Sequence, residues 1–415
     1  MTGTVVTPSG DPVGNATVTV VDTRTASTRT VSTNSAGRFN VQGLVTGGPY
    51  SVTATADGFQ GQTNEGIFLD LSSNTRLTFA LDDAAATLET IVVQGSQTNL
   101  TRLAIGPGSS FSTETLEALP SISRDIRDTI RLDPRVVIDA TNFDNISCIG
   151  GNNRFNAFTI DGVRTNDPFG LNASGFPNRN TLPIPFDAVR ETSVEFSPFD
   201  VEYGQFSGCA INVVTKSGTN EFHGSAFGVF NSDGLTGETI DGDSGRSDDE
   251  FNDWNWGAQI SGPIIKDKLF FSLAYEEVQD GGQIVSTGPG EGFVNQIDTP
   301  LAEVQEIQAI LENQYGFDTG GIATILPEES TRWLGRLDYQ INNDHRLEFT
   351  YGRLRELFLE EGDFIPGSDF EFANTGEATG SEIDSYSARL FSQWTENFST
   401  EIRASRFDTL DIQGP

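Results

Sequence analysis

The stretch Asp253-Trp254-Asn255-Trp256-Gly257-Ala258-Gln259-Ile260-Ser261-Gly262 alternates strictly. Trp254, Trp256, Ala258 and Ile260 fall on one face of an extended chain, and Asn255, Gly257, Gln259 and Ser261 on the other. Successive side chains of a strand point to opposite sides, so the pattern predicts a strand with one apolar face and one polar or small face. Leu347, Phe349 and Tyr351 oppose Arg346, Glu348 and Thr350 in the same way. Strands of this kind are predicted at 222–230, 253–262, 268–277, 331–340, 345–354, 385–395 and 399–408. Segments of about ten alternating residues build transmembrane β-barrels. A soluble sandwich produces the same alternation, so the strands alone leave both architectures open.

The connections favour the barrel. Residues 232–252 are strongly acidic, and 278–330 form a long excursion with a predicted helix: Thr299 as N-cap, Pro300 at the first helical position, Gly316 as terminator. Asn342-Asn343-Asp344, by contrast, is a tight turn. Long loops alternating with short turns suit a barrel, and Trp254, Trp256, Phe270, Phe271 and Tyr275 are candidates for its interfacial girdle.

Upstream, residues 1–82 read as a small antiparallel sandwich. Short alternating runs such as Ala16-Thr17-Val18-Thr19-Val20-Val21 and Tyr50-Ser51-Val52-Thr53-Ala54 are separated by turn signals at Pro8-Ser9-Gly10-Asp11-Pro12, Asn34-Ser35-Ala36-Gly37 and Asp57-Gly58. A small, polar linker follows, then Leu88-Glu89-Thr90-Ile91-Val92-Val93-Gln94-Gly95. This β-branched run cannot bury itself alone. It is either a last strand of the sandwich or a strand offered to a partner sheet. Residues 97–217 are mixed, with helices predicted at 112–119 and, capped by Ser123, at 123–132. Strands are predicted at 155–160 and 210–215, the first turned by Asp161-Gly162.

Bulk properties exclude several functions. The 415 residues carry a net charge of -34, which repels nucleic acid. His223 and His345 are the only histidines and stand far apart, so neither a histidine metal site nor a Ser-His-Asp triad is expected; no catalytic, metal or cofactor site is assigned. Asp241-Gly242-Asp243-Ser244-Gly245 fails the EF-hand pattern and reads as a solvated acidic loop. No apolar run is long enough for a transmembrane helix. Met1-Thr2-Gly3-Thr4-Val5-Val6 reads as a strand and not as a signal peptide, so for an exported protein either the signal is trimmed or the sequence is truncated.

Gly3-Thr4-Val5, Pro12 to Val18, Asn34 to Phe39 and Tyr50 to Phe59 resemble the carboxypeptidase regulatory-like domain, an Ig-like or transthyretin-like β-sandwich. In order along the chain, the run Leu88–Gly95, the segment Asn153 to Val163 with its Ile160-Asp161-Gly162 turn, the segment Tyr203 to Asn220 and the barrel-like remainder resemble a TonB-dependent receptor. Ser123-Arg124-Asp125-Ile126-Arg127-Asp128 and Asp133-Pro134-Arg135-Val136 resemble its Oar-like branch. The resemblance implies a mainly β chain in four parts: a β-sandwich (1–82), a linker with a TonB box (83–96), a plug (97–217) and the first part of an outer-membrane barrel (218–415). It implies that Glu89, Thr90, Ile91, Val92 and Val93 pair with TonB, which works with an inner-membrane motor. It places the protein in the outer membrane of a Gram-negative bacterium, in contact with its lipid, with the N-terminal domains in the periplasm. The implied role is uptake of an unnamed extracellular solute, without catalysis. Barrels of this family close with 22 strands, so further strands are expected beyond Pro415.

Cys148 and Cys209 depart from the family pattern, which has small or aliphatic residues there. In an oxidising periplasm they form a disulfide or remain two buried thiols; sequence gives no Cα separation to decide between these. A surface-binding protein anchored by its barrel is the alternative function. A signalling receptor fits less well, because 1–82 read as all-β, and a carboxypeptidase lacks the histidine–glutamate zinc spacing.

Overall fold

The computed structural model describes residues 1–70, 75–83, 91–94 (backbone), 108–118, 121, 124–139, 145–167, 175–178, 182–196, 206–235, 252–284, 287–289, 293, 295–323, 325–360, 372–395 and 398–414. The chain opens with β1 (Thr2–Val6), β2 (Thr17–Asp22), β3 (Ser27–Ser32), β4 (Arg38–Asn40), β5 (Gly47–Thr55), β6 (Gln62–Leu69), β7 (Arg76–Ala80) and β8 (Ile91–Gln94). They form two sheets, ordered β4-β1-β7 and β3-β2-β5-β6-β8. The alternate residues Val18 and Val20 of β2 and Tyr50, Val52 and Ala54 of β5 are buried against Val5, Phe39 and Phe79 from the other sheet. This is the inward-facing half of each period-2 pattern, as a sandwich requires.

The mixed region contains β9 (Gly108–Ser112), α1 (Thr113–Ala118), α2 (Ile126–Ile130), β10 (Val136–Asp139), β11 (Asn145–Cys148), β12 (Ala157–Ile160), β13 (Val163–Arg164), β14 (Val189–Phe196) and β15 (Cys209–Thr215). Its main sheet runs β13-β12-β15-β14-β9, with β12 parallel to β15, and β10-β11 form a separate hairpin. Two expectations need correction. Asp125, extended at φ -119 and ψ 137, caps α2 by accepting from Arg127 N, so it holds the place expected for Ser123, which lies outside the described residues. The expected strand at 155–160 begins only at Ala157, after a single 3-10 turn at Asn153–Phe155.

Next come β16 (His223–Ser232), β17 (Asn252–Ile265), β18 (Leu269–Ile284), the short pair β19 (Thr287–Gly288) and β20 (Asn295–Gln296), α3 (Leu301–Tyr315), β21 (Ile325–Gln340), β22 (His345–Glu360), β23 (Glu377–Thr395) and β24 (Phe398–Gly414). All seven long strands expected from the alternation are present, each longer than expected. They form one antiparallel sheet, β16-β17-β18-β21-β22-β23-β24. Helix α3 ends at Gly316 in the left-handed region (φ 68), as expected, but its N-cap is Pro300 and not Thr299, and no side chain caps it.

The burial of this sheet is inverted relative to a soluble protein. Trp254, Trp256, Ile260, Leu273, Phe349 and Ile402 are exposed, while Gln259, Ser272, Glu276, Arg332, Arg336 and Glu348 are buried. The polar face is covered by the mixed region, whose core continues into Ala274 and Leu334 of the sheet. On the outer face Trp256 packs on Tyr275 (5.1 Å), Trp333 on Tyr351 (5.0 Å) and Tyr351 on Tyr386 (4.8 Å), making an aromatic row. Eight residues further along β23, Trp394 packs on His345 (4.9 Å), about 27 Å away at strand rise. An aromatic row and a second ring pair, separated by an apolar stretch of this length along the strand, fit a lipid-facing surface.

Candidate functional site

The mixed region is held to the sheet by buried charges centred on the Ile160-Asp161-Gly162 turn. Asp161 (φ 48) and Gly162 (φ 75) link β12 to β13, with Ile160 opposite Val163. Two successive positive-φ residues make a two-residue hairpin turn, which is why aspartate and glycine stand there. The turn aims the Asp161 carboxylate at β15: Oδ1 accepts from Thr215 N (3.0 Å) and Oδ2 from Thr215 Oγ1 (2.7 Å). From the sheet, Arg336 Nη1 donates to Thr215 Oγ1 (3.1 Å) and lies 3.4 Å from Asp161 Oδ1. Its Nη2 pairs with Asp338 (2.8 Å) and Glu348 (3.0 Å). Arg403 of β24 donates to Gly162 O at 2.5 Å, and a Cβ at Gly162 would meet that guanidinium.

A second contact lies higher on the same wall. Glu276 Oε2 accepts from Phe186 N (2.8 Å), and its Oε1 pairs with Arg332 Nη2 (3.1 Å), both side chains being buried. Arg124 pairs with Asp187 and stacks over Phe227 of β16 (3.7 Å). Within the mixed region, Asp133 accepts from Arg135 and from Ser109 Oγ (2.5 Å), fastening β9 to the start of β10. The Arg135 and Ser109 hydrogen bonds hold the Asp133 carboxyl well below the usual range. Cys148, ending β11, and Cys209, opening β15, are joined by a disulfide with Cα atoms 5.9 Å apart, the two standing 61 positions apart in sequence.

The sandwich docks at the end of the sheet that carries the short connections 266–268 and 341–344. Asn220 N donates to Arg24 O in the β2–β3 turn (2.8 Å). Arg190 of β14 donates to Thr46 Oγ1 (2.7 Å) and also reaches Ser217 Oγ (3.4 Å). Burial, together with Arg336 and Arg24 nearby, lowers the Arg190 pKa to about 10. A cavity of about 390 Å³ opens beneath this junction, lined by Arg190, Arg336, Arg346, Arg389 and Arg403 with Asp161 among others.

Of the expected TonB-pairing residues, Ile91, Val92 and Val93 form β8 and are not isolated: β8 runs parallel to β6, with Gln62 opposite Ile91, Thr63 opposite Val92 and Asn64 opposite Val93. Glu89 and Thr90 lie outside the described residues, as does the acidic loop 241–245. The structure thus brings together Asp161, Thr215 and the sheet arginines, and keeps β8 apart from them. Sequence reading missed Arg336, Arg332, Glu276 and Arg190. For the three in the long sheet the available signal was charge on the face of an alternating strand opposite its aromatic residues; Arg190 of β14 carried no such signal.

Residues 1–82 match the model of the carboxypeptidase regulatory-like domain, and residues 214–289 match that of the outer membrane beta barrel domain. The chain is related to the TonB-dependent outer-membrane receptors of the Oar-like branch and carries their N-terminal carboxypeptidase regulatory-like domain. It is 26% identical to the TonB-dependent transporter Oar of Myxococcus xanthus over 374 residues, covering 84% of this chain and 32% of Oar. It is 29% identical over 203 residues to the probable TonB-dependent siderophore receptor PirA of Acinetobacter baumannii, covering 45% of this chain and 24% of that protein. The chain therefore spans about a third or less of these relatives' length. The crystal structure of a mutant of the ferric enterobactin receptor PfeA from Pseudomonas aeruginosa shares the fold, with a TM-score of 0.50 at 15% identity over 73% of this chain and 40% of that one.

Proposed function

We propose that this chain contributes to energy-coupled uptake of a large or scarce solute across the outer membrane of a Gram-negative bacterium. In this reading the seven-stranded sheet is part of the barrel wall, residues 97–217 are the plug, and the sandwich lies in the periplasm. TonB, driven by its inner-membrane motor, takes hold of Glu89, Thr90, Ile91, Val92 and Val93. No bond is made or broken by the protein. The observation that carries the reading is the inverted sheet: an aromatic, apolar face turned outward and a charged face buried against a folded domain. Lipid makes such an outer face favourable, and a domain pinned inside by ion pairs is a stopper that must be moved before a solute can pass. The outer membrane has no nucleotide supply, so the work of moving it must arrive mechanically. The disulfide then limits how much of the stopper can be drawn out.

The test is binding of the purified TonB C-terminal domain to peptide 86–97 and to the chain. Micromolar binding that is lost on Ile91→Pro supports coupling through this segment. Absence of binding to both sinks it.

A further inference from the structure

The coupling segment is not a loose leader but a strand of the sandwich, and its position in the sheet is informative. The order β3-β2-β5-β6-β8 puts β8 at one edge and β3 at the other. The β2–β3 turn and the β4–β5 connection face the barrel-like sheet: the turn accepts Asn220 N, and one shared cavity is lined by Asp22, Arg29, Leu44 and Val45 on one side and Asp338 and Arg346 on the other. Four strand spacings separate β3 from β8, about 19 Å. The sandwich thus meets the wall and the mixed region through the β2–β3 turn and the residues leading into β5, and carries residues 91–94 on the edge strand furthest from β3.

We infer that the sandwich is the presenting platform for the coupling segment: β6 holds residues 91–94 extended on its edge, and the outer edge of β8 receives a strand of TonB as the sixth strand of this sheet. The inference rests on the coupling reading above. A parallel partner satisfies alternate backbone groups of β8 through one edge only, and among the described residues no strand pairs with the other. An edge row of unpaired N–H and C=O groups is a template for an incoming strand. A segment already extended has less conformational freedom left to lose on binding than a free linker. The opposite arrangement, in which β6 hides the segment from TonB, would require both to use the same edge of β8.

A cross-link separates the two. Glu65 lies opposite Gln94 in the register, and Gln94 is outside the TonB-pairing residues 89–93. The Glu65→Cys/Gln94→Cys chain, oxidised and verified by peptide mass mapping, fixes β8 on β6, with each single cysteine variant as the uncross-linked control. The TonB C-terminal domain should bind the cross-linked chain at least as tightly as the controls, and the chain tenfold or more tightly than peptide 86–97. A loss of tenfold or more on cross-linking, or a peptide that binds as tightly as the chain, overturns presentation. Hydrogen exchange gives a second reading that needs no cross-link. Amides of 62–65 should stay protected in the complex, and their deprotection on TonB binding would likewise overturn the inference. If neither peptide nor any chain binds, the coupling reading itself fails.

Discussion

Arg336 Nη1 stands 3.4 Å from Asp161 Oδ1 across the boundary between the barrel-like sheet and the mixed region, the two residues being 175 apart in sequence. Asp338 and Glu348 share the same guanidinium, and Glu348 also pairs with Arg346 (2.9 Å). Removing Arg336 takes the ion-pair partner from buried Asp161 and Asp338 and one of the cations from Glu348. Arg336→Ala should cost about 3–5 kcal/mol, the scale for breaking a buried pair from one side, while Asp161→Asn should cost about 1.5–3 kcal/mol. Urea unfolding in detergent measures both. A double-mutant cycle should return a coupling above about 1 kcal/mol, and additive losses would show that the contact is incidental.

Gly162 is constrained twice, by its φ of 75 and by the Arg403 guanidinium where a Cβ would sit. Gly162→Ala should destabilise by about 1–3 kcal/mol through backbone strain, plus displacement of Arg403. Combining it with Arg403→Ala should recover the steric part and leave the backbone part. Equal losses in the single and double variants would mean that Arg403 yields without cost.

The Arg135 and Ser109 hydrogen bonds depress the Asp133 pKa. A carboxylate depressed in the folded state contributes stability that is fully present above its unfolded pKa of about 3.9 and is lost as pH falls through the folded value. The link between β9 and β10 should therefore be unaffected from pH 8 to pH 5 and weaken only below about pH 4. Asp133→Asn should flatten that acid limb and cost about 1.5–3 kcal/mol at neutral pH. Exchange protection of the β9 amides, followed against pH, checks both.

Lipid contact predicts an asymmetry between faces. Leu273→Arg, on the exposed apolar face, should destabilise the sheet in bilayers by about 2–4 kcal/mol if it lies near the midplane. In a protein whose outer face meets water the same change would be nearly silent, which makes folding into vesicles the measurement.

The parts of this architecture that are local in sequence were legible. Binary alternation names strands without knowledge of their partners, which is why all seven long strands were found. Asp161-Gly162 declares its turn through the φ values its residues tolerate. What could not be read was what lies opposite. The sequence puts Arg332, Arg336 and Glu348 on one face but cannot tell that Asp161, far upstream, meets them. Likewise Ile91–Val93 read as a strand offered to a partner, with a last strand of the sandwich as the alternative, and the structure pairs them with β6 at the sandwich edge. Ser123 and Asp125 are both competent caps, and only the extended backbone at Asp125 separates them.

The Cys148–Cys209 bond has a consequence for any tension entering at residues 91–94. Load travelling down the chain reaches Cys148, crosses through the sulfurs to Cys209 and continues along β15 toward the wall. The intervening loop, including the Asp161-Gly162 turn and β14, hangs beside that route as slack that is never tightened. Reduction would put those residues back in line, adding about 200 Å of extensible chain at the usual reach per residue. In the coupling reading, the oxidised molecule thus meters how far a tug can run, because the residues between the two cysteines add nothing to its length.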